Sequence, residues 1–216
     1  MSETEVDKTD VDLNSLRALV YKYASYLLDY PYEKRVKTLK EQVSDFIELL
    51  SLLREKGYEI EFNSSKLFKI TEEIEKLGLE EFQAEYVSLF EVGYPKPKCP
   101  PFEREYLNSQ EKDDLKFLAE LVNYYSRYGV VTQKEAPDYL IVELEFMYYL
   151  IAKEMETKEQ CYKKAQLEFL ERMLKWIENF YRCVKRKSRV KGYANILKVF
   201  LKFMKKDHEF LLKEVS

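Results

Sequence analysis

Histidine is almost missing from this chain: His208 is the only one in 216 residues. Its scarcity removes the commonest general base and transition-metal ligand from nearly the whole sequence. Imidazole triads, HExxH zinc sites and ExxH di-iron sites are thereby excluded. His208 falls at helical spacing between Met204 and Leu211, which predicts a half-buried packing residue. Glycine is scarce too, at five residues, and neither GxxxxGK[ST] nor GxGxxG occurs, so no phosphate-cradling loop is available. No uncharged apolar run approaches about 18 residues, the length a membrane span requires. Residues 1–12 are acidic and lack the basic-then-apolar pattern of a secretory signal, so they read as the flexible N-terminus of a cytoplasmic protein. The three cysteines, Cys99, Cys161 and Cys183, form no CxxC pair and are expected as reduced, mostly structural thiols.

What is present is apolar and charged in globular proportion, 46% hydrophobic and 35% charged, which excludes a disordered chain. A net charge of −3 argues against wholesale attraction to nucleic acid. The one basic run, Lys185, Arg186, Lys187, Arg189 and Lys191, has two readings. It is a phosphate-binding patch, or it is a set of cations complementing the dipole at the end of a long helix, and the second is favoured.

Apolar spacing is helical nearly everywhere, punctuated by the few prolines and glycines. Leu13, Leu16, Val20, Tyr23 and Leu27 mark a first helix stopped by Pro31. Val36, Leu39, Val43, Phe46, Leu50 and Leu53 mark a second, ended by Gly57. Tyr58, Ile60 and Phe62 alternate too briefly for a strand. Ser64 or Ser65 is expected to cap a short helix ending at Gly78, followed by one over about Glu80–Glu91. Asn108 and Glu111 form a capping arrangement for a helix through Tyr128, closed by Gly129. Pro137 suits the first turn of a helix from about Asp138 to Glu156. Thr157 is expected to cap a long helix with the stripe Tyr162, Ala165, Phe169, Met173, Trp176, Phe180 and Val184. A last helix follows Gly192, carrying Tyr193, Ile196, Phe200, Met204 and Leu211. No repeat of about 20 to 50 residues emerges, so a solenoid is not expected. The fold class is all-α: residues 13–216 form one compact multi-helix bundle, with 13–56 as a candidate helical hairpin packing on the rest. Such a hairpin leaves both a monomer and an element-exchanging dimer open.

Two segments break the uniformity. Between Val92 and Leu107 the chain holds four of its six prolines, flanked by Tyr86, Phe90 and Tyr94 on one side and Phe102 and Tyr106 on the other. Fixed φ angles stiffen such a loop, which serves either a binding site or a rigid connector. The second segment gathers Glu135, Asp138, Glu143 and Glu145 around the start of one helix. Glu143 and Glu145 lie about 200° apart on a helix and cannot face one another, whereas Asp138 and Glu145 share a face. Asp138 reads as a dipole-favoured or capping group. Glu145, inside the apolar stretch Leu140–Ile151, is either hydrogen-bonded to a partner within the bundle, the favoured reading, or displayed in a groove.

These segments carry a resemblance. Glu85-Tyr86-Val87-Ser88-Leu89-Phe90, followed by Cys99-Pro100-Pro101-Phe102-Glu103-Arg104-Glu105-Tyr106-Leu107, is similar to the paired signature of the TorD/DmsD/NarJ chaperones. Glu135-Ala136-Pro137-Asp138-Tyr139-Leu140, then Glu143-Leu144-Glu145-Phe146-Met147-Tyr148-Tyr149-Leu150, resembles their second signature. Two departures stand out. Tyr139 replaces the family histidine, so no imidazole role carries over, and Glu103 and Arg104 replace small residues, which bears on peptide preference.

The resemblance implies a helical fold without an active site or a cofactor of its own. It implies a partner, the catalytic subunit of a molybdopterin-containing oxidoreductase, held by its N-terminal leader (often a twin-arginine signal peptide) until cofactor insertion and export. It further implies a peptide groove with Tyr86, Leu89, Phe90, Tyr94 and Phe102 on its apolar side. Glu103, Tyr106, Glu135, Asp138 and Tyr139 lie near it. The competing reading is a helical protein-binding scaffold whose partner has nothing to do with redox enzymes.

Overall fold

A computed structural model describes residues 11–107, 114–132 and 134–215 of the chain. Helix α1 spans Leu13–Leu28, with the Asp12 side chain accepting the Ser15 N–H as its N-cap. A short α2 (Glu33–Lys37) leads into α3 (Leu39–Glu55). The single helix expected here is broken at Thr38, whose hydroxyl donates to the Arg35 carbonyl and accepts from Gln42. Gly57 then takes φ 94°, which a side chain would resist. Next come α4 (Ser64–Leu67) and α5 (Lys69–Leu77), capped by Asn63 in place of Ser64 or Ser65. Helix α6 (Leu79–Tyr86) widens into a π turn over Val87–Glu91. After the proline-rich loop, whose Tyr94–Pro95 bond is cis, a 3₁₀ turn spans Glu103–Glu105.

The remaining helices are long. Helix α7 runs Asp114–Arg127, while the expected Asn108/Glu111 cap lies outside the described residues. Helix α8 (Leu140–Thr157) starts later than expected, because Pro137 and Asp138 form a turn ahead of it. Thr157 closes α8 and does not cap α9 (Gln160–Lys187); its hydroxyl accepts the Glu159 N–H as Lys158 turns through φ 60°. Helix α10 (Lys191–Val215) includes Gly192 in its first turn, where a Cβ would come 2.5 Å from the Ile70 Cα. The freed first-turn N–H groups of Lys191 and Gly192 donate to the Glu73 carboxylate, so α5 caps α10.

The fold is all-α, and among the described residues it has no strand beyond a one-residue bridge. Helix α8 is central: α1 packs on one side of it and α9 on another, with α3 against α1 and α10 against α9. Its Leu144, Met147, Leu150 and Ile151 are fully buried, as are Phe169, Met173, Trp176 and Val184 of α9. No helix among the described residues is long and apolar enough to cross a membrane. His208 is half-buried, 3.3 Å from Glu171. Lys185, Arg186 and Lys187 occupy the last turn of α9, as expected of dipole-complementing cations.

The cysteine expectation is corrected. Cys99 and Cys183 are joined in a disulfide across 84 residues, and Cys161 is the free, exposed thiol. The reason is tertiary: the proline loop folds back along α9, where the Lys98 carbonyl accepts from Lys187 Nζ.

Candidate functional site

The proline loop and the turn before α8 are stitched together. Phe102 and Tyr139 form a one-residue antiparallel bridge, with Glu103 N donating to the Asp138 carbonyl at 3.0 Å. Leu140 N donates to the Pro101 carbonyl at 2.9 Å. Pro101 cannot donate, but it still accepts, so the di-proline is compatible with this pairing. The two motif segments therefore form one surface.

Beneath the bridge lies a buried charged network. Glu103, Asp138 and Glu143 are all buried. Arg172 Nε of α9 pairs with Glu103 at 2.7 Å, and Trp176 Nε1 donates to Glu143 at 3.2 Å. The Arg104 backbone N donates to Asp138 at 3.2 Å, and its guanidinium reaches the same carboxylate at 3.4 Å. Three carboxylates thus share two guanidinium groups. Burial, and then the neighbouring Glu103 carboxylate, hold the Glu143 carboxyl well above the usual range. Both effects favour the neutral form of Glu143, which spares the interior a third negative charge.

A pH dependence follows. Native Glu143 binds a proton at pH values where the unfolded chain has lost it, so stability falls as pH rises above the ordinary carboxylate range. Glu143→Gln keeps an acceptor for Trp176 and removes that loss. The variant is expected to be more stable than the parent by about 1 kcal/mol at pH 8, with a smaller difference at pH 5. Urea midpoints measured across this range check it, and parallel curves would show that Glu143 does not titrate there.

Above the bridge the surface opens. Tyr139 OH donates to Asp29 at 3.4 Å, and Asp29 pairs with Arg35 at 2.7 Å. Burial, together with the charges of Asp29, Glu91 and Glu135, pushes the Tyr139 hydroxyl pKa up. Burial and nearby Asp29 likewise raise the Glu91 carboxyl. Glu91 and Glu135 are exposed, and Tyr94 is fully exposed. Tyr30 and Tyr32 lie 4.7 Å apart ring to ring, and Phe102 lies 5.5 Å from Tyr139. Carboxylates beside aromatic faces form a surface suited to a cation flanked by apolar groups.

The structure distributes the sequence-derived residues over two layers. Phe102, Tyr139, Glu135 and Tyr94 are open to solvent to differing degrees, with Phe102 and Tyr139 half-buried. Glu103 and Asp138 lie in the network below them. Tyr86, Leu89 and Phe90 are in the core, with Tyr86 OH donating to the Leu28 carbonyl and Phe90 packed on Tyr193. Tyr106 stacks on Trp176 at 5.7 Å. Two expectations about the acids are corrected. Asp138 precedes the helix and is buried, whereas Glu145 is exposed, so they share no face. The carboxylate with a partner in the bundle is Glu143, and Glu145 is displayed in a groove. The sequence does not mark Asp29, Glu91 or Arg172 as part of this surface and network, and it marks Trp176 only as part of the α9 stripe. Asp29 lies 110 residues from the tyrosine it meets, and nothing local marks it.

Known proteins share this fold and parts of this sequence. A redox enzyme maturation protein of Archaeoglobus fulgidus, as its structure is described, shares the fold with a TM-score of 0.51 at 22% identity, over 94% of this chain and 99% of that one. The perchlorate reductase assembly chaperone protein of Dechloromonas aromatica (strain RCB) is 30% identical over 105 residues, 45% of this chain and 46% of the relative. The chlorate reductase assembly chaperone protein of Ideonella dechloratans is 30% identical over 113 residues, 48% of this chain and 58% of the relative. The chain thus spans about half the length of the curated relatives it matches. The family model described as the nitrate reductase delta subunit matches residues 29–182, a range that holds both motif segments and Asp29. The chain therefore belongs to the nitrate reductase delta subunit family, the group its motifs resemble under the names TorD, DmsD and NarJ.

Proposed function

We propose that this protein is a cytoplasmic chaperone for a molybdopterin-containing oxidoreductase. It holds the N-terminal leader of the catalytic subunit while the cofactor is inserted, and it performs no catalysis itself. One observation carries the reading. Tyr139 donates to Asp29 and feels the charges of Glu91 and Glu135, on the surface that the two family motifs build, and Tyr32 and Tyr94 are exposed. A leader that presents arginines next to an apolar segment complements those groups in both charge and polarity. The names of the perchlorate and chlorate reductase relatives support the same assignment.

Magnitudes apportion the work. An exposed carboxylate–arginine pair contributes about 0–1 kcal/mol, and a shielded one about 1.5–3. Covering a ring such as Tyr94 contributes about 2 kcal/mol. Apolar contact therefore supplies most of the affinity, and the acids select for arginine. Asp138, beneath the rim, acts through Arg104 and the loop, not by touching the guest.

The test is a gentle pull-down of the tagged protein from its native host with mass spectrometry, followed by titration with the leader found. A molybdopterin oxidoreductase subunit with its leader intact is expected, and its leader peptide should bind saturably. Glu91→Lys and Tyr94→Ala should each weaken binding about tenfold. Recovery of unrelated proteins alone, with no binding of leader peptides, would leave a helical scaffold with a different partner.

A further inference from the structure

Glu145 has no role in the site just described, yet it sits in the most apolar helix of the chain. It faces a groove of about 550 Å³ between α8 and the chain that follows α7. Val130, Val142, Phe146 and the rings of Tyr125 and Tyr149 line this groove. Both tyrosine hydroxyls are already committed: Tyr125 OH donates to the Pro137 carbonyl and Tyr149 OH to the Tyr128 carbonyl, each at 2.7 Å. The tyrosines therefore add apolar wall and no free hydroxyl to the groove, Tyr125 from the core and Tyr149 half-buried. Lys134, Glu135 and Glu145 also line it, and none of these three side chains has a hydrogen bond or ion pair among the described residues. Val131, at its edge, is 74% exposed.

The geometry points to a second peptide subsite in this groove, one that takes a lysine or arginine flanked by aliphatic residues from the same client leader. Two carboxylates against a single ammonium favour a cation over an anion or a neutral group. The aliphatic lining needs apolar neighbours on either side of that cation. Glu135 ties the groove to the first site, because it lines the groove and its charge also acts on Tyr139. An extended peptide, at about 3.3 Å per residue, passes from one to the other within a few residues. The inference rests on the leader-binding reading and adds to it a longer footprint and a second point of charge selection.

The test uses the full chain and a fluorescein-labelled synthetic peptide. The peptide carries an adjacent arginine pair, a stretch of aliphatic residues and one further lysine. Glu145→Lys is a surface change and should leave the fold intact by circular dichroism. It is expected to weaken binding about tenfold, and a peptide with one basic residue replaced by glutamate should recover affinity for this variant alone. The position that recovers identifies the residue held by Glu145. If Glu145→Lys binds every peptide as the parent does, while Glu91→Lys binds poorly, the second subsite is overturned and the first site stands. If Glu145→Lys instead alters sedimentation and leaves peptide affinity unchanged, the groove is a contact between copies and the subsite is again overturned. If the parent protein binds no such peptide, the leader-binding reading fails and takes the subsite with it.

Discussion

Arg17→Met is expected to lower the stability of this protein by about 3–5 kcal/mol, a fall of roughly 10 °C in Tm. Arg17 and Asp207 are both fully buried and paired, joining α1 to α10. Asp207 also accepts hydrogen bonds from Tyr21 OH and Tyr58 OH, each at 2.9 Å. The guanidinium donates further to Gln166 of α9 at 2.9 Å and to Asn14 at 2.7 Å. One side chain therefore satisfies groups from three helices. A methionine replaces most of the volume but leaves a carboxylate buried without its cation, and that uncompensated charge is the dominant penalty. The cause can be isolated by adding Asp207→Asn. The amide still accepts from the two tyrosines and needs no cation, so the double variant should be more stable than Arg17→Met alone. Urea unfolding of the three proteins measures both effects. A double variant no better than the single one would assign the loss to packing instead of charge.

Reduction of the Cys99–Cys183 bond is expected to remove about 3–4 kcal/mol. The bond closes 84 residues, for which the chain-entropy account gives about 4.5 kcal/mol as its full value. Residual structure in the unfolded chain reduces that figure. The native contacts around the bond persist without it: Cys99 N donates to the Leu89 carbonyl at 2.7 Å, and Lys187 holds the Lys98 carbonyl at 2.9 Å. The reduced protein should therefore keep its fold and lose stability mainly through a freer unfolded state. Denaturant midpoints with and without reductant, in a Cys161→Ser background, provide the measurement. A Cys183→Ala variant should be insensitive to reductant and match the reduced parent. Equal midpoints, with two free thiols counted after reduction, would show that the bond adds nothing to stability.

The sequence conveyed the class of structure well because helix formation leaves a local record. The stripes of α9 and α10 could be read residue by residue, since spacings of three and four decide which side chains share a face. Caps were less legible. Asn63 competes with two following serines for the same task, and the carboxylate that caps α10 comes from Glu73 of α5. The acids of α8 show the limit most clearly. Residues 140–151 are apolar on nearly every side, so periodicity does not say which carboxylate turns inward. The Trp176 indole N–H, 33 residues away in α9, supplies the partner that buries Glu143. Glu145, two residues on, is thereby turned outward into the groove.

The sequence by itself determined that this protein is a helical bundle, that imidazole chemistry is closed to it, and to which family its motifs belong. Those properties depend on composition, on periodicity over a few turns, and on short segments of fixed spacing. Tertiary structure alone decided that Cys99 meets Cys183, that Asp29 stands beside Tyr139, and that Asp138 lies under the rim and not on it. Each of these depends on how helices distant in sequence are laid against one another. That arrangement is set by the summed packing of the whole core, which no local stretch of sequence records.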